Sequence, residues 1–261
     1  MTTTYHPIRS LVWKEWREQR WRFALGALVL TTLSASMVRA QLIPTAESVA
    51  IIFGPLGLVL SVFLSMGAVP PERAAGTWHF LVTQPVPFGR LLIVKWAVGA
   101  AALLSTLVLA GAAAYAAERS RGVFTWPPFP DQFVDLPILQ GKTSTLVLSM
   151  VGSACAAFLA LYSLMFTAML KARTELHAGL AGILLTIVIL AWAAQYPMIG
   201  WVYHDEVATV AWYSSLVNPL SPLMFQFKEN RMTHALALTM TPLVWVGIPV
   251  IRWLRRKREA K

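Results

Sequence analysis

The stretch that decides the fold is LLIVKWAVGAAALLSTLVLAGAAAYAA, residues 91–117, in which Lys95 is the only charged side chain. A helix needs about 20 apolar residues, rising about 1.5 Å each, to cross a hydrocarbon core roughly 30 Å thick. The segment is therefore long enough to be a transmembrane helix. Lys95 lies one turn inside it, and we expect its aliphatic stem to let the ammonium group snorkel to the interface.

Five further apolar segments meet or approach the same length. They are residues 23–38, 48–69, 143–170, 178–199 and 235–251. Together with 91–117 they predict an all-α integral membrane protein with six transmembrane helices, forming a single transmembrane domain over residues 1–261.

A seventh apolar stretch, residues 208–227, contains Asn218, Pro219 and Pro222. Two prolines around an asparagine would break a helix that faces lipid and leave backbone groups unpaired. This stretch predicts an outer re-entrant or interfacial hairpin before the sixth span.

The composition agrees with a membrane protein. Hydrophobic residues make up 57% of the chain and charged residues 13%, against about 25% charged in an ordinary soluble domain. These values exclude a disordered chain and a typical soluble enzyme. The single cysteine, Cys155, excludes an internal disulfide and a cysteine metal cluster.

The distribution of charge predicts the orientation. With six spans and a cytosolic N-terminus, 16 of the 22 basic residues but only 5 of the 12 acidic residues fall on the cytosolic side. Cytosolic segments of membrane proteins collect Lys and Arg, so both termini are predicted to be cytoplasmic. The outer loops are then 118–142 and 200–234, and 252–261 is a basic cytosolic tail. Orientation accounts for the net charge of +10, and we expect no nucleic-acid partner.

Residues 1–22 are predicted to form a cytosolic amphipathic helix. Ile8, Leu11, Val12 and Trp16 share one face, which favours a helix lying in the headgroups of the lipid bilayer. Two alternatives stay open: a solvated juxtamembrane tail, and a signal sequence cleaved after the small residues 34–36.

The segment 70–90 is predicted to be a cytosolic loop that holds a short helix. Pro70 and Pro71 end the second span, and Glu72 lies in the first turn of a new helix, where a carboxylate suits the positive helix end. We expect this helix to have 10–12 residues, because Pro85 would end it. Its apolar residues need a partner surface, which is either another protein or the chain's own bundle.

No motif predicts catalysis in this chain. The sequence has neither HExxH nor GxSxG, and its five histidines are scattered. We therefore expect no catalytic residues, no bound cofactor and no metal site. An ion-coupled transporter would normally carry a coordinating site near the middle of the membrane. If the protein transports a substrate, the energy is expected to come from another polypeptide.

The order of residues in 70–95 resembles the cytosolic loop of the membrane-spanning permease subunits of type-2 ABC exporters. In that family an acidic residue in a basic stretch precedes Gly-Thr, an apolar run ending in Leu, a Thr or Ser, Pro-Val, a basic residue and the Lys of the next span. The matching residues here are Glu72, Arg73, Gly76, Thr77, Leu81, Thr83, Pro85, Val86, Arg90 and Lys95.

The resemblance implies a permease subunit in the plasma membrane, the inner membrane in a bacterium. It pairs with a second permease, identical or a paralogue, and with two copies of a separate ATPase that binds ATP and Mg²⁺. It implies that the ATPase couples through the loop residues Glu72, Arg73, Gly76, Thr77, Trp78, Phe80 and Leu81. Two alternatives remain: a six-span membrane anchor or assembly factor that transports nothing, and a lipid-modifying enzyme, which the missing catalytic groups disfavour.

Overall fold

A computed structural model describes residues 7–40, 45–68, 70–77, 87–120, 143–202, 218–224 and 231–255. Within these ranges every regular secondary-structure element is a helix, as the sequence predicts. The helices are α1 (Pro7–Ala40), α2 (Thr45–Met66), α3 (Pro70–Ala74), α4 (Phe88–Arg119), α5 (Thr143–Met169), α6 (Glu175–Val202), α7 (Ser221–Met224), α8 (Arg231–Pro242) and α9 (Ile248–Arg255). A π-helical turn, Leu243–Gly247, joins α8 to α9.

In the described part of the chain, four helices are long and apolar enough to cross a membrane. They are Ile8–Ala40, Phe88–Arg119, Leu148–Met169 and Ala235–Leu254. Shorter apolar helices, Ile52–Met66 and Glu175–Ala191, coincide with the second and fifth predicted spans. The four long apolar helices are compatible with a protein embedded in a membrane.

Successive long helices pack antiparallel, whereas α1 and α4 run parallel. The pairs of neighbouring residues that establish these directions are Gly26 with Leu60, Gly99 with Tyr162, Gly111 with Val151, Gly179 with Met66, Phe166 with Trp253, and Glu15 with Lys95. As a result, one end of the bundle holds the first residues of α1, α4 and α6 and the last residues of α2, α5 and α9. We call it the N-terminal end.

The predicted amphipathic helix and the first predicted span form one helix over the described residues, because α1 continues without a break from Pro7 to Ala40. That its first part lies in the lipid headgroups stays a prediction. One buried stripe runs along the whole helix and comprises Glu15, Gln19, Gly26, Leu30, Ser34 and Val38. This stripe packs on neighbouring helices, so nothing ends the helix near residue 22. At about 1.5 Å per residue, α1 is about 51 Å long, which exceeds the thickness of a bilayer with its headgroups, about 40–45 Å.

The face that we predicted to be apolar on residues 8–16 points away from the bundle. Val12 is 40% and Trp16 37% exposed, whereas Glu15 is 1% exposed. In this part of α1, Glu15 and Gln19 face the bundle, whereas Val12 and Trp16 face away from it. Trp13 and Trp21 are also exposed, as expected of tryptophans at a membrane interface.

The short helix after α2 is shorter than the 10–12 residues predicted. It ends at Ala74 and is followed by a turn over residues 75–77. Gly76 has φ +71°, a left-handed conformation that ends helices and favours glycine. The Thr77 hydroxyl donates a hydrogen bond to the Glu72 carbonyl oxygen at 3.2 Å. Trp78, Phe80 and Leu81 lie outside the described residues.

Of the predicted outer hairpin, the structure describes residues 218–224. Asn218, Pro219 and Pro222 are buried there. The side-chain oxygen Oδ1 of Asn218 accepts a hydrogen bond from the Leu220 backbone amide at 2.8 Å, and the side-chain amide nitrogen donates to the Ile189 carbonyl oxygen at 3.4 Å. The asparagine side chain therefore satisfies one backbone group just before α7 and one on α6. The remainder of 208–227 lies outside the described residues, and the re-entrant path stays a prediction.

Candidate functional site: a buried ionic network

Lys95 does not snorkel to the surface, and this expectation is wrong. Its side chain is 0% exposed. Its ammonium nitrogen lies 2.7 and 2.8 Å from the two carboxylate oxygens of Glu15 and 2.8 Å from Oε1 of Glu72. An ammonium group has three donors, so three carboxylate oxygens match its full capacity. Carboxylates from α1 and α3 make burial of this charge tolerable.

Lys14 extends the network to the surface of the bundle. Its ammonium nitrogen lies 2.8 Å from the same Glu72 oxygen that contacts Lys95, and 3.5 Å from Glu18. Glu72 is 7% exposed, whereas the Lys14 side chain is 39% exposed. A single carboxylate oxygen of α3 therefore bridges one lysine of α1 and one of α4.

The carboxylates of Glu15, Glu18 and Glu72 each offer an oxygen within 4.8 Å of the other two. Such a group resembles the oxygen cage of a hard cation. Here the two lysine ammonium groups lie among these oxygens. We interpret the cluster as a set of ion pairs, in which the lysines supply the positive charge.

Further polar groups lie on the helices beside the ion pairs. Gln19, one turn after Glu15, is 1% exposed, and Tyr162 of α5 is 0% exposed. Among the described residues, neither the Gln19 amide group nor the Tyr162 hydroxyl has a hydrogen-bond partner. A Cβ atom at Gly99 would overlap the Tyr162 hydroxyl, so the absence of a side chain there makes room for the tyrosine. The N-terminal end of the bundle is thus polar inside.

A second ion pair joins α1 to α2 and α6. Arg22 donates hydrogen bonds to the Phe63 carbonyl oxygen at 3.2 Å and to the Glu175 carboxylate at 3.1 Å. The Glu175 side chain is 46% exposed, and exposed ion pairs contribute only about 0–1 kcal/mol. This pair positions the helices but adds little stability.

The buried network fixes geometry more than it adds stability. Removing one partner of a buried ion pair costs about 3–5 kcal/mol, whereas replacing the whole set with apolar residues is often neutral. Its physical effect is to hold α3 in one position against α1 and α4. The ion pairs therefore link the surface segment α3 to the long helices α1 and α4.

The structure brings together only part of the predicted loop site. Glu72 is in the network, Gly76 and Thr77 form an exposed turn, and the backbone of Arg73 lies in α3. The sequence analysis did not predict that Glu15 belongs to the site or that Lys95 points into the bundle and pairs with it. The available signal was that a charge inside an apolar segment needs a buried partner.

Comparison of the chain with protein-family models, with curated proteins and with solved structures finds no match. The resemblance of residues 70–95 to type-2 ABC permeases therefore rests on the ten residues of its motif. Function has to be inferred from those residues and from the geometry of the N-terminal end.

Proposed function

We propose that the chain is the transmembrane subunit of an ATP-binding cassette transporter. With a second permease, identical or paralogous, it would form an export or lipid-translocation pathway driven by two separate ATPase subunits. The observation that carries the proposal is the position of residues 70–77, which begin the segment that resembles the permease loop. Its residues 74–77 are exposed at the surface, and Glu72 just before them is paired with the buried Lys95 of α4 and the partly exposed Lys14 of α1.

An ATP-driven permease needs a segment that passes motion from the ATPase to the spans. Residues 74–77 are exposed, and α3 has only five residues and no core of its own. A displacement of these exposed residues would pull on Glu72 and, through it, on Lys95 of α4 and Lys14 of α1. Coupling of this kind travels through contiguous contacts that have two arrangements. The ionic network supplies such contacts.

We also propose six spans with both termini in the cytoplasm of a plasma membrane. The alternating directions of the long helices support this, since they put the predicted cytosolic segments at one end of the bundle. The second and fifth predicted spans fall on α2 and α6, which have 22 and 28 residues. The excess of basic residues at the same end supports a cytoplasmic orientation.

The orientation can be tested with single cysteines, because the chain has one native cysteine. In a Cys155→Ala background, we expect Asp131→Cys to react with a membrane-impermeant maleimide in intact cells. Ala260→Cys should react only after the membrane is permeabilised. Labelling of Ala260→Cys in intact cells would contradict the six-span orientation.

The coupling role predicts a specific effect at Gly76. A β-branched residue at φ +71° is strained by about 1–2 kcal/mol, so Gly76→Val should depopulate the native turn about tenfold. We expect it to lower the ATPase that copurifies with the full-length protein, and the Mg²⁺-dependent ATP hydrolysis of that complex, by a similar factor. Gly76→Asn is the matched control, since asparagine tolerates this conformation.

The melting temperature separates a docking role from a structural one. A Cβ atom at Gly76 would have no neighbour within 4 Å, so neither variant disturbs packing, and the backbone strain of valine should lower the melting temperature by only about 2–8 °C. A strongly lowered melting temperature for Gly76→Val, with its ATPase retained, would contradict coupling through this turn. If no ATPase copurifies even with the wild type, the membrane-anchor alternative takes the place of the transporter.

A further inference from the structure

A pocket of about 500 Å³ opens at the N-terminal end of the bundle, away from the ionic network. It lies between the start of α4, the end of α5 and the last helix. Its walls are mainly apolar and include Phe88, Leu92, Leu170, Val244 and Trp253. The volume falls within the range of about 300–1,000 Å³ that is typical of ligand sites.

Two basic side chains, Lys171 and Arg252, also line the pocket. Both are exposed, and within the described part of the chain neither forms an ion pair with a carboxylate. No acidic residue is among the described residues that line it. The pocket is therefore apolar along its walls and positive where the bundle ends.

The last helix lies at the edge of the described bundle. In its most apolar stretch of 18 residues, 11% of the residues are buried, against 56% in the corresponding stretches of α4 and α5. The π-helical turn Leu243–Gly247 supplies Val244 and Trp245 to the wall. Such turns within α-helices are frequent at functional sites.

We propose that this pocket binds an anionic phospholipid. The phosphate group lies between Lys171 and Arg252, and an acyl chain follows the apolar wall formed by α5 and the last helix. Charge complementarity selects the headgroup, since basic pockets between helices at the cytoplasmic face bind anionic lipid headgroups. The inference rests on the proposed cytoplasmic orientation of this end of the bundle, but it requires no transport activity.

The test measures lipid binding to the detergent-solubilised full-length protein by native mass spectrometry. The probes are phosphatidylglycerol and a phosphatidylcholine with the same acyl chains. Each basic residue near an anionic lipid surface contributes a factor of about five. Lys171→Gln with Arg252→Gln should therefore weaken phosphatidylglycerol binding about 25-fold, to the level of phosphatidylcholine. Arg9→Gln with Arg173→Gln removes two exposed charges that do not line the pocket, and should change binding less than twofold.

Two further arms separate the sources of binding. Val244→Trp narrows the pocket and keeps both charges. It should reduce the retention of both lipids, because their acyl chains follow the wall to which Val244 belongs. Added inorganic phosphate should leave bound phosphatidylglycerol in place. Three results would overturn the proposal. The control pair loses as much affinity as Lys171→Gln with Arg252→Gln, or the wild type binds both lipids equally, or inorganic phosphate alone displaces phosphatidylglycerol. The single variants, each expected to lose about fivefold, keep the test valid if the double variant fails to fold.

Discussion

Replacement of Lys95 with methionine should lower the stability of the protein by about 3–5 kcal/mol, the cost of leaving a buried charge without its partner. Glu15 is 1% exposed and has its two carboxylate oxygens on the Lys95 ammonium group. Methionine fills a similar volume but donates no hydrogen bond, so Glu15 would either bind a proton or stay ionised with only the Lys14 ammonium group, 3.8 Å away. We expect a strongly lowered melting temperature in detergent and loss of the monodisperse peak in gel filtration.

A control and a rescue show whether charge or packing is responsible. Arg17→Met removes an exposed positive charge from α1, and such surface changes usually stay within ±0.5 kcal/mol. Glu15→Met combined with Lys95→Met should recover most of the loss, because replacing a whole buried pair with apolar residues is often neutral. A Lys95→Met protein as stable as Arg17→Met would show that the ion pairs do not form.

The helical segments could be predicted from the sequence because apolar runs of about 20 residues leave few alternatives in a membrane. The absence of helix over residues 218–220 was predictable from Asn218 and Pro219 for the same reason. Both signals are local, since they depend on what a short segment does with its own backbone hydrogen bonds.

The ionic network could not be predicted because its members lie far apart in the sequence. Lys95 and Glu15 are 80 residues apart, and Lys14 and Glu72 are 58 apart. Hydropathy treats each segment separately, so Lys95 looked like a charge that must escape to the interface. Only the parallel packing of α1 on α4 brings the carboxylate to it.

The side of α1 that packs on the bundle could not be predicted for a related reason. An amphipathic pattern shows that a helix has two different faces but not which one meets the protein. In water the apolar face is buried. Near a membrane it can face lipid, and here Glu15 and Gln19 are buried while Val12 and Trp16 are exposed.

The second large effect is expected at Gly57, where α2 meets α5. Gly57 is buried, and a Cβ atom there would overlap the ring of Phe158, which is 0% exposed. Small residues let transmembrane helices approach closely, and packing drives their association. Gly57→Val should therefore force α2 and α5 apart and cost about 3 kcal/mol, the upper end of the usual range for overpacking.

The control for this prediction is Gly152→Val, on α5 itself. A Cβ atom at Gly152 would have no neighbour within 4 Å, so this variant should melt within a few degrees of the wild type. Phe158→Leu removes the part of the ring that the valine overlaps, and adding it to Gly57→Val should restore part of the lost stability. If Gly57→Val and Gly152→Val melt alike, α2 and α5 do not pack at this point. If Gly57→Val is the less stable variant, the double variant shows whether a steric clash or a lower helix propensity is the cause. A clash with the Phe158 ring is relieved by the smaller leucine side chain. A lower helix propensity of valine destabilises the protein equally beside leucine or phenylalanine.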